Sequence, residues 1–242
     1  QNNKWNQLNK LAGKARLLIG DRGYLQIQRQ WYKEVEDLID CPYHQVEDNA
    51  VVPAEVASGK EEYAAWTLRK KIKPEIGDWL KLNLSRPKIK HRSENLTKFK
   101  VDTNKLNLDT SVQPVEKFTG GTDEAKKLFE NFLKNKLDKY SELRNHPELD
   151  YQSQMSLYLH FGQISPIWLA KQVWQTESPG KEDFLEELII RRELAINFVF
   201  YNPDYDNYNC LPDWAKKTLA KHTEDKRPIT YSSKELEKAQ TD

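Results

Sequence analysis

Residues 183–200 read DFLEELIIRRELAINFVF, and this stretch decides how the second half of the chain is interpreted. Its apolar residues fall on every side of a helix, which predicts a buried helix without a polar face. Glu187, Arg191, Arg192 and Glu193 nevertheless place charges within seven positions of this helix. Because the desolvation of an ion is costly unless hydrogen bonds compensate for it, these charges need partners.

Two interpretations of these charges are open. Glu187 precedes Arg191 by four residues, the favoured orientation for an ion pair along a helix, and Arg192 could reach another element. Alternatively, the charges line a cavity in which Glu187 hydrogen-bonds a heterocycle and an arginine meets an anionic group. Helical spacing alone favours the internal ion pair.

A second informative stretch, at 144–165, reads RNHPELDYQSQMSLYLHFGQIS. Its first residues, Asn145 to Pro147, indicate a turn, and a polar loop follows. Ser153, Gln154 and Ser156 offer hydroxyl and amide groups in this loop, which could bind phosphate together with exposed backbone N–H groups. Composition alone is equally compatible with an ordinary loop between helices.

The remaining pattern predicts an α/β part followed by an all-α part. LLIG at 17–20 is a strand candidate, 24–39 is a helix candidate, and HQV and VVP at 44–46 and 51–53 are further extended runs. After residue 121 the chain is helical. We expect Thr122 to cap one helix and Ser165 to cap the next, which has Pro166 at its first position. Residues 211–222 and 232–240 are further helix candidates.

The predicted domains are a partial α/β domain at 1–80, an interdomain linker at 81–121 and a partial all-α domain at 122–242. The linker is rich in Lys, Asn, Ser and Thr and carries a basic cluster between Arg86 and Arg92. We interpret this cluster as solvated, because an isolated charge run is usually exposed.

Composition excludes several classes. Thirty-eight basic and 37 acidic residues give a net charge of +1, so overall charge does not indicate a nucleic-acid binder. Cys41 and Cys210 match no disulfide framework or zinc spacing, so we expect no metal and an intracellular location. No apolar run approaches a membrane span, and no P-loop, GxGxxG or GxSxG motif is present.

Two blocks carry a family resemblance: YSELRNHPELDYQSQMSLYLHFGQISP at 140–166 and FLEELIIRRELAINFVFYNPDYD at 184–206. Together they resemble the flavin-binding domain of class II cyclobutane pyrimidine dimer photolyases. Upstream, 15–42 and 51–72 resemble the last part of that family's Rossmann-like N-terminal α/β domain, and 211–241 is similar to the segment after the second block. The resemblance therefore implies an α/β remnant, a linker and the first half of an all-α FAD-binding domain.

The family uses light-excited reduced FAD to send one electron into a cyclobutane pyrimidine dimer, which then splits. The resemblance thus implies a lyase that repairs DNA, with FAD as cofactor, room for an antenna chromophore of unassigned kind, and UV-damaged DNA as partner. It further implies no membrane and a monomer, in the cytoplasm, nucleoid or nucleus according to the organism. The lesion leaves the base stack to reach the cofactor, and its poor pairing lowers the cost of that step.

The resemblance also assigns roles to individual residues. The flavin-binding residues are Tyr140, Gln152, Ser153, Gln154, Met155 and Ser156. The residues for DNA and the lesion are Arg144, Asn145, Glu187, Arg191 and Arg192. Glu187 is the catalytic group that hydrogen-bonds the dimer, because a donor or a carboxylic acid beside the accepting carbonyl stabilises the added charge. For the two arginines of the helix, contact with the lesion strand and internal pairing both remain open.

The chain departs from the family pattern in two ways. The family's Ser-Pro-Tyr-Leu is here Ser156, Leu157, Tyr158 and Leu159, so we expect a looser loop. The chain also opens on Gln1 without Met and ends inside an apparent helix, so we expect an incomplete chain whose fragment binds FAD weakly or not at all and is inactive. We therefore assign none of the seven tryptophans to the family's electron relay.

Two alternatives to repair are compatible with the sequence. A cryptochrome-like flavoprotein would use the same fold for light signalling, but the presence of Glu187 with Arg144 and Asn145 favours repair. A non-catalytic DNA-binding module would use the basic linker and the arginines, and it would bind damaged and undamaged duplex equally well.

Overall fold

The computed structural model describes residues 5–82, 88, 109, 111–113 and 115–241. These residues divide into two compact units, the first ending at Tyr201 and the second beginning at Asn202. The first unit contains a small sheet and most of the helices. The second unit consists of a short 3₁₀ turn, Tyr208–Cys210, and two exposed helices that we label α11 (Asp213–Lys221) and α12 (Ser233–Glu237).

The sheet of the first unit has two parallel strands, β1 (Leu18–Asp21) and β2 (Tyr43–Val46), with Leu18 opposite Tyr43. They are joined through α2 (Gln26–Glu36), as parallel strands require a crossover. α1 (Asn6–Ala12) precedes the sheet, and α3 (Ala54–Ala57) and α4 (Ala65–Leu80) follow it. The predicted strand at 17–20, the helix within 24–39 and the strand at 44–46 are confirmed.

The rest of the first unit is helical, as predicted. Its elements are α5 (Thr122–Asn135), the 3₁₀ turn Leu137–Lys139, α6 (Tyr140–Leu143), α7 (Met155–His160), α8 (Pro166–Trp174), α9 (Lys181–Leu185), a π-helical segment (Glu186–Arg191) and α10 (Arg192–Tyr201). The last three elements form one continuous run, residues 181–201, which we call the central helix. Its first half contributes Phe184, Leu188 and Ile189 to the core.

The core extends across the predicted domain boundary. Leu68 and Ile72 of α4 are fully buried in the same cluster as Phe129 of α5 and Ile189 of the central helix. α4 is therefore packed as part of the helical layer. The division at residues 80 and 121 remains a prediction, and most of the basic linker cluster lies outside the described residues.

Two local expectations are wrong. Val51 and Val52 are fully buried but form no strand, because their N–H groups donate to the Glu193 carboxylate instead of to a neighbouring strand. Gly121, with φ 115°, rather than Thr122, caps α5. The Thr122 hydroxyl donates to the carbonyl of Gln163. The predicted start of α8 is confirmed, since Ser165 Oγ accepts the N–H of Trp168 and Pro166 occupies the first position.

Candidate functional site

A cleft of about 450 Å³ opens between α4, the end of α6 and the first half of the central helix. Its charged lining includes Arg69, Lys73, Arg144, Glu186, Glu187 and Arg191. Apolar walls are supplied by Ile76, Trp174 and Ile190. The cleft therefore combines apolar surface with several convergent polar groups, as binding sites commonly do.

The Arg144–Glu187 ion pair lies in this cleft. Arg144 Nη1 is 2.6 Å from Glu187 Oε1, although the two residues are 43 positions apart. The hydrogen bond to Glu187 raises the pKa of Arg144. The Glu187 side chain is 40% exposed, so it can still meet a molecule that enters the cleft.

Tyr140 forms the floor beneath Arg144. The guanidinium carbon lies 5.7 Å from the centre of the Tyr140 ring. That ring is 5% exposed and packs edge-on against Phe132 and Phe184, at centroid distances of 5.5 and 5.6 Å. Burial raises the pKa of the Tyr140 hydroxyl. An aromatic cluster thus fixes the position from which Arg144 reaches Glu187.

The π-helical segment explains why the expected Glu187–Arg191 pair does not form. Regular helical spacing brings residues i and i+4 together, whereas a π-helix has i to i+5 bonds. Arg191 accordingly faces Glu186, five positions earlier, with Nε 3.7 Å from Oε1. Glu187 is left to pair with Arg144. π-helical turns recur at functional sites, which agrees with the position of this one in the cleft wall.

Arg69 of α4 forms an ion pair with Glu186 of the same π-helical segment. Its Nε and Nη2 lie 3.0 and 2.5 Å from the two oxygens of Glu186, a bidentate arrangement. The hydrogen bonds from Arg69 lower the pKa of Glu186. Arg69, Lys73 and Glu186 were not among the predicted site residues. A π-helical turn cannot be seen in a 3.6-residue periodicity, and the partner of Arg69 is 117 positions away.

The predicted phosphate loop is connected to the cleft through Gln152, whose amide donates to the carbonyl of Arg144. Gln154 has a left-handed backbone with φ 59°, and Ser153 Oγ accepts the N–H of Met155 at 3.3 Å. Met155 is buried, whereas Ser156 is exposed. The loop therefore has an irregular, partly open backbone at the start of α7.

Lysines surround the other side of this loop. Gln154 lines a second cleft of about 450 Å³, together with Lys117, Lys127 and Lys136. Lys127 and Lys136 also pair with Glu124 and Asp150, at 2.7 and 2.8 Å. Gln154 and these ammonium groups form a donor set for an anionic phosphate, and Glu124 and Asp150 in the same cleft neutralise part of its positive charge.

Arg192 lies apart from the other predicted residues. Its Nη1 donates to the carbonyl of Asn49, and burial lowers the pKa of its guanidinium. Arg192 therefore has an internal partner, and its contact with the lesion strand stays a prediction. Asn145 is exposed and follows Arg144 directly, while Arg191 remains in the cleft.

No grouping of three or more His, Cys, Asp or Glu side chains that could hold a metal ion occurs in the part of the chain that the structure describes. Cys41 and Cys210 are free thiols. Within the same described residues, no helix is both long and apolar enough to cross a membrane.

Comparison with known proteins identifies relatives. The chain is 41% identical over 237 residues to a deoxyribodipyrimidine photo-lyase of Methanothermobacter thermautotrophicus, covering 97% of this chain and 52% of the relative. It is 36% identical over 234 residues to the protein of the same name from Potorous tridactylus, covering 93% and 44%. The chain thus spans about half the length of the curated relatives it matches. No family model matches it.

The fold also has a relative among solved structures. A bacterial class III photolyase from Agrobacterium tumefaciens superposes with a TM-score of 0.59 at 19% identity, covering 84% of this chain and 45% of that one. At this identity the likeness concerns the fold alone. In sequence the chain is thus similar to proteins named deoxyribodipyrimidine photo-lyase, and in fold it is similar to a photolyase.

Proposed function

We propose that this chain takes part in the light-driven repair of cyclobutane pyrimidine dimers in DNA, as a class II member of the photolyase family. The observation that carries the proposal is the Arg144–Glu187 pair, set over the buried ring of Tyr140 in an open cleft. Relatives named deoxyribodipyrimidine photo-lyase at up to 41% identity support it. The finer division into a Rossmann-like α/β part and an FAD-binding helical part belongs to the same proposal.

A pyrimidine fits the two groups of this pair. In a thymine dimer the carbonyl oxygens accept hydrogen bonds and the imide N–H donates one, so Arg144 can donate to a carbonyl while Glu187 accepts the N–H. Negative charge that develops on the pyrimidine is stabilised by the fixed guanidinium, which needs no reorganisation at that moment. Asn145 and Arg191, beside the pair in sequence or in the cleft, are proposed to contact the same DNA.

The flavin is proposed to bind through Tyr140 and residues 152–156, where the donor set suits the cofactor's phosphates. When bound and reduced, it supplies the electron that splits the dimer. Gln152 ties the phosphate loop to the backbone of Arg144, so the loop and the lesion-facing arginine keep a fixed spacing. The aromatic cluster around Tyr140 excludes water from the base of the site.

The test is repair itself. The flavin-loaded protein that carries this sequence should convert a thymine dimer in a synthetic duplex to free thymines under near-ultraviolet or blue light and not in the dark. A flavin-loaded protein that gives no repair contradicts the proposal and favours a light-signalling function. Equal affinity for damaged and undamaged duplex contradicts it as well, and favours a simple DNA-binding module.

A further inference from the structure

A stripe of aromatic and basic side chains leads out of the cleft along α4. Trp66, Arg69, Lys70 and Lys73 have the spacing i, i+3, i+4 and i+7, which places them on one side of the helix. Arg69 and Lys73 line the cleft, so the stripe begins there. Trp66 and Lys70 continue it onto the outer surface.

The outer end of the stripe is exposed but ordered. Trp66 is 50% exposed and packs edge-on against Tyr63, which is 77% exposed, with ring centres 5.9 Å apart. The Lys70 ammonium lies 4.7 Å from the centre of the Trp66 ring. Two exposed aromatic rings next to a cation form a surface that can bind a partner through stacking and charge.

Charge distinguishes the two lysines of the stripe from their neighbours. Arg69 is neutralised by Glu186, and Lys71, on another side of α4, is paired with the buried Glu62. Within the described residues, Lys70 and Lys73 form no ion pair with a carboxylate. Glu75 lies five positions after Lys70, away from the stripe. The charge of Lys73 helps to lower the pKa of the nearby Glu186. The stripe therefore presents two ammonium groups, of which Lys70 is the one farther from the carboxylates of the cleft.

We propose that three residues of this stripe, Trp66, Lys70 and Lys73, hold the sugar–phosphate backbone of the DNA that flanks the lesion. The inference rests on the proposed function, because it takes the cleft as the place where the lesion binds. Lys70 and Lys73 each neutralise a phosphate, and Trp66 keeps the Lys70 ammonium in position while its ring packs against a deoxyribose. Since phosphates are the same in damaged and undamaged DNA, the stripe contributes affinity but no lesion specificity.

Because the stripe is proposed to contribute affinity but no lesion specificity, it can be tested by comparing the binding of damaged and undamaged DNA. Binding of the flavin-loaded protein is measured in the dark by fluorescence anisotropy, with duplexes that contain or lack one thymine dimer, over a range of salt concentrations. In Lys70→Ala/Lys73→Ala the slope of log K against log salt should become shallower by about 1.8, that is, about 0.9 for each lost phosphate contact. Both duplexes should lose affinity by the same factor, roughly tenfold at low salt.

Controls separate this inference from the proposed function. Lys10→Ala/Lys14→Ala removes two exposed lysines elsewhere and should leave the slope unchanged. Trp66→Ala should weaken both duplexes equally, whereas Trp66→Phe should largely retain binding. Lys70→Gln/Lys73→Gln repeats the charge loss with longer side chains if the alanine variant folds poorly. An unchanged salt dependence in both lysine variants would overturn the proposal that the stripe contacts phosphates. Equal affinity of the wild-type protein for the two duplexes would overturn lesion recognition, but the effect of the lysine variants on the salt dependence could still be measured.

Discussion

The two halves of the central helix use charge in opposite ways. In residues 181–191 the apolar Phe184, Leu188 and Ile189 are buried, and the carboxylates of Glu186 and Glu187 line an open cleft. In α10 the pattern is inverted. Glu193 and Asn197 are buried, at 3% and 1% exposure, whereas the apolar Leu194, Ile196, Phe198 and Val199 are only partly buried.

The hydrogen-bond partners of the polar residues in α10 explain why these residues are buried. Glu193 accepts the N–H groups of Val51, at 2.6 Å, and Val52, at 3.4 Å. Four residues on, Asn197 accepts the N–H of Glu62 at 2.7 Å and donates to the carbonyl of Lys60 at 3.0 Å. Tyr201 donates to the carbonyl of Ser58 at 2.5 Å.

One side of α10 thus supplies hydrogen-bond partners to the backbone of residues 51–62, which forms no strand. Buried backbone groups require such partners. The buried polar groups of this half therefore serve the fold. In the other half the carboxylates pair with side chains around a cleft, so they are available to a ligand.

The comparison predicts its largest effect at Glu193. Glu193→Ala leaves the N–H groups of Val51 and Val52 buried without an acceptor, and we expect a loss of about 3 kcal/mol in the free energy of unfolding. Glu193→Gln keeps an acceptor oxygen and should lose clearly less. Chemical denaturation of the purified chain measures both. A loss in Glu193→Ala no greater than in a typical surface variant would show that α10 does not hold the segment in this way.

The cleft half should respond in activity. Glu187→Gln removes the carboxylate that is proposed to accept the imide N–H of the lesion and that holds the Arg144 guanidinium in place. We expect repair to fall on the order of a hundredfold, the size seen when a group that stabilises developing charge is lost, because Arg144 loses its fixed position. Glu186→Gln is the matched control, one residue away on the same π-helical segment and paired with Arg69 instead. Its repair rate should fall much less. Equal losses of repair activity in the two variants would mean that the segment only maintains the structure of the cleft and that Glu187 does not contact the lesion.

The pH dependence of stability sharpens the same contrast. Burial raises the pKa of Glu193 from 4.5 to about 8, against the opposing effect of the Val51 and Val52 N–H groups. The folded chain therefore holds this proton more tightly than the unfolded chain, and the free energy of unfolding falls as pH rises from about 4.5 to about 8. The slope has a limit of about 1.4 kcal/mol per pH unit for one group.

Glu193→Gln carries no titrating group and should lack this part of the slope. Denaturant titrations of both proteins between pH 5 and pH 8 test it, in roughly the window set by the two pKa values. Parallel stability profiles for the two proteins would contradict a raised pKa at this position.

Sequence predicted the features that depend on local chemistry. Ser165 and Pro166 start α8 as expected, because capping and a missing N–H act within one turn. The apolar pattern of 183–200 correctly predicted a helix, but the expectation that it is buried throughout is wrong for its second half, where Leu194, Ile196 and Phe198 are only partly buried. It failed for VVP at 51–53, where β-propensity is overridden by a carboxylate 142 positions away. The π-helical turn could not be predicted from the sequence either, because no residue type encodes it.

The candidate site was predictable only in part, for a related reason. Spacing alone paired Glu187 with Arg191, and only the family resemblance singled out Arg144 as a companion of Glu187. The structure brings these two side chains together across 43 positions, a distance that no local pattern spans. Arg69 belongs to a helix that was interpreted as part of another domain, so its contact with Glu186 was missed.

The smallest predicted effect completes the contrast with Glu193. Glu187 is 40% exposed and its partner Arg144 is 23% exposed, so water screens the pair and replaces it readily when it is broken. Glu187→Ala should therefore change the free energy of unfolding by less than about 1 kcal/mol, although the ion pair is shorter than many that stabilise proteins. Denaturation of Glu187→Ala beside Glu193→Ala gives the comparison directly. If the two variants lose similar stability, Glu187 serves the fold as Glu193 does, and the cleft half of the helix has no separate purpose.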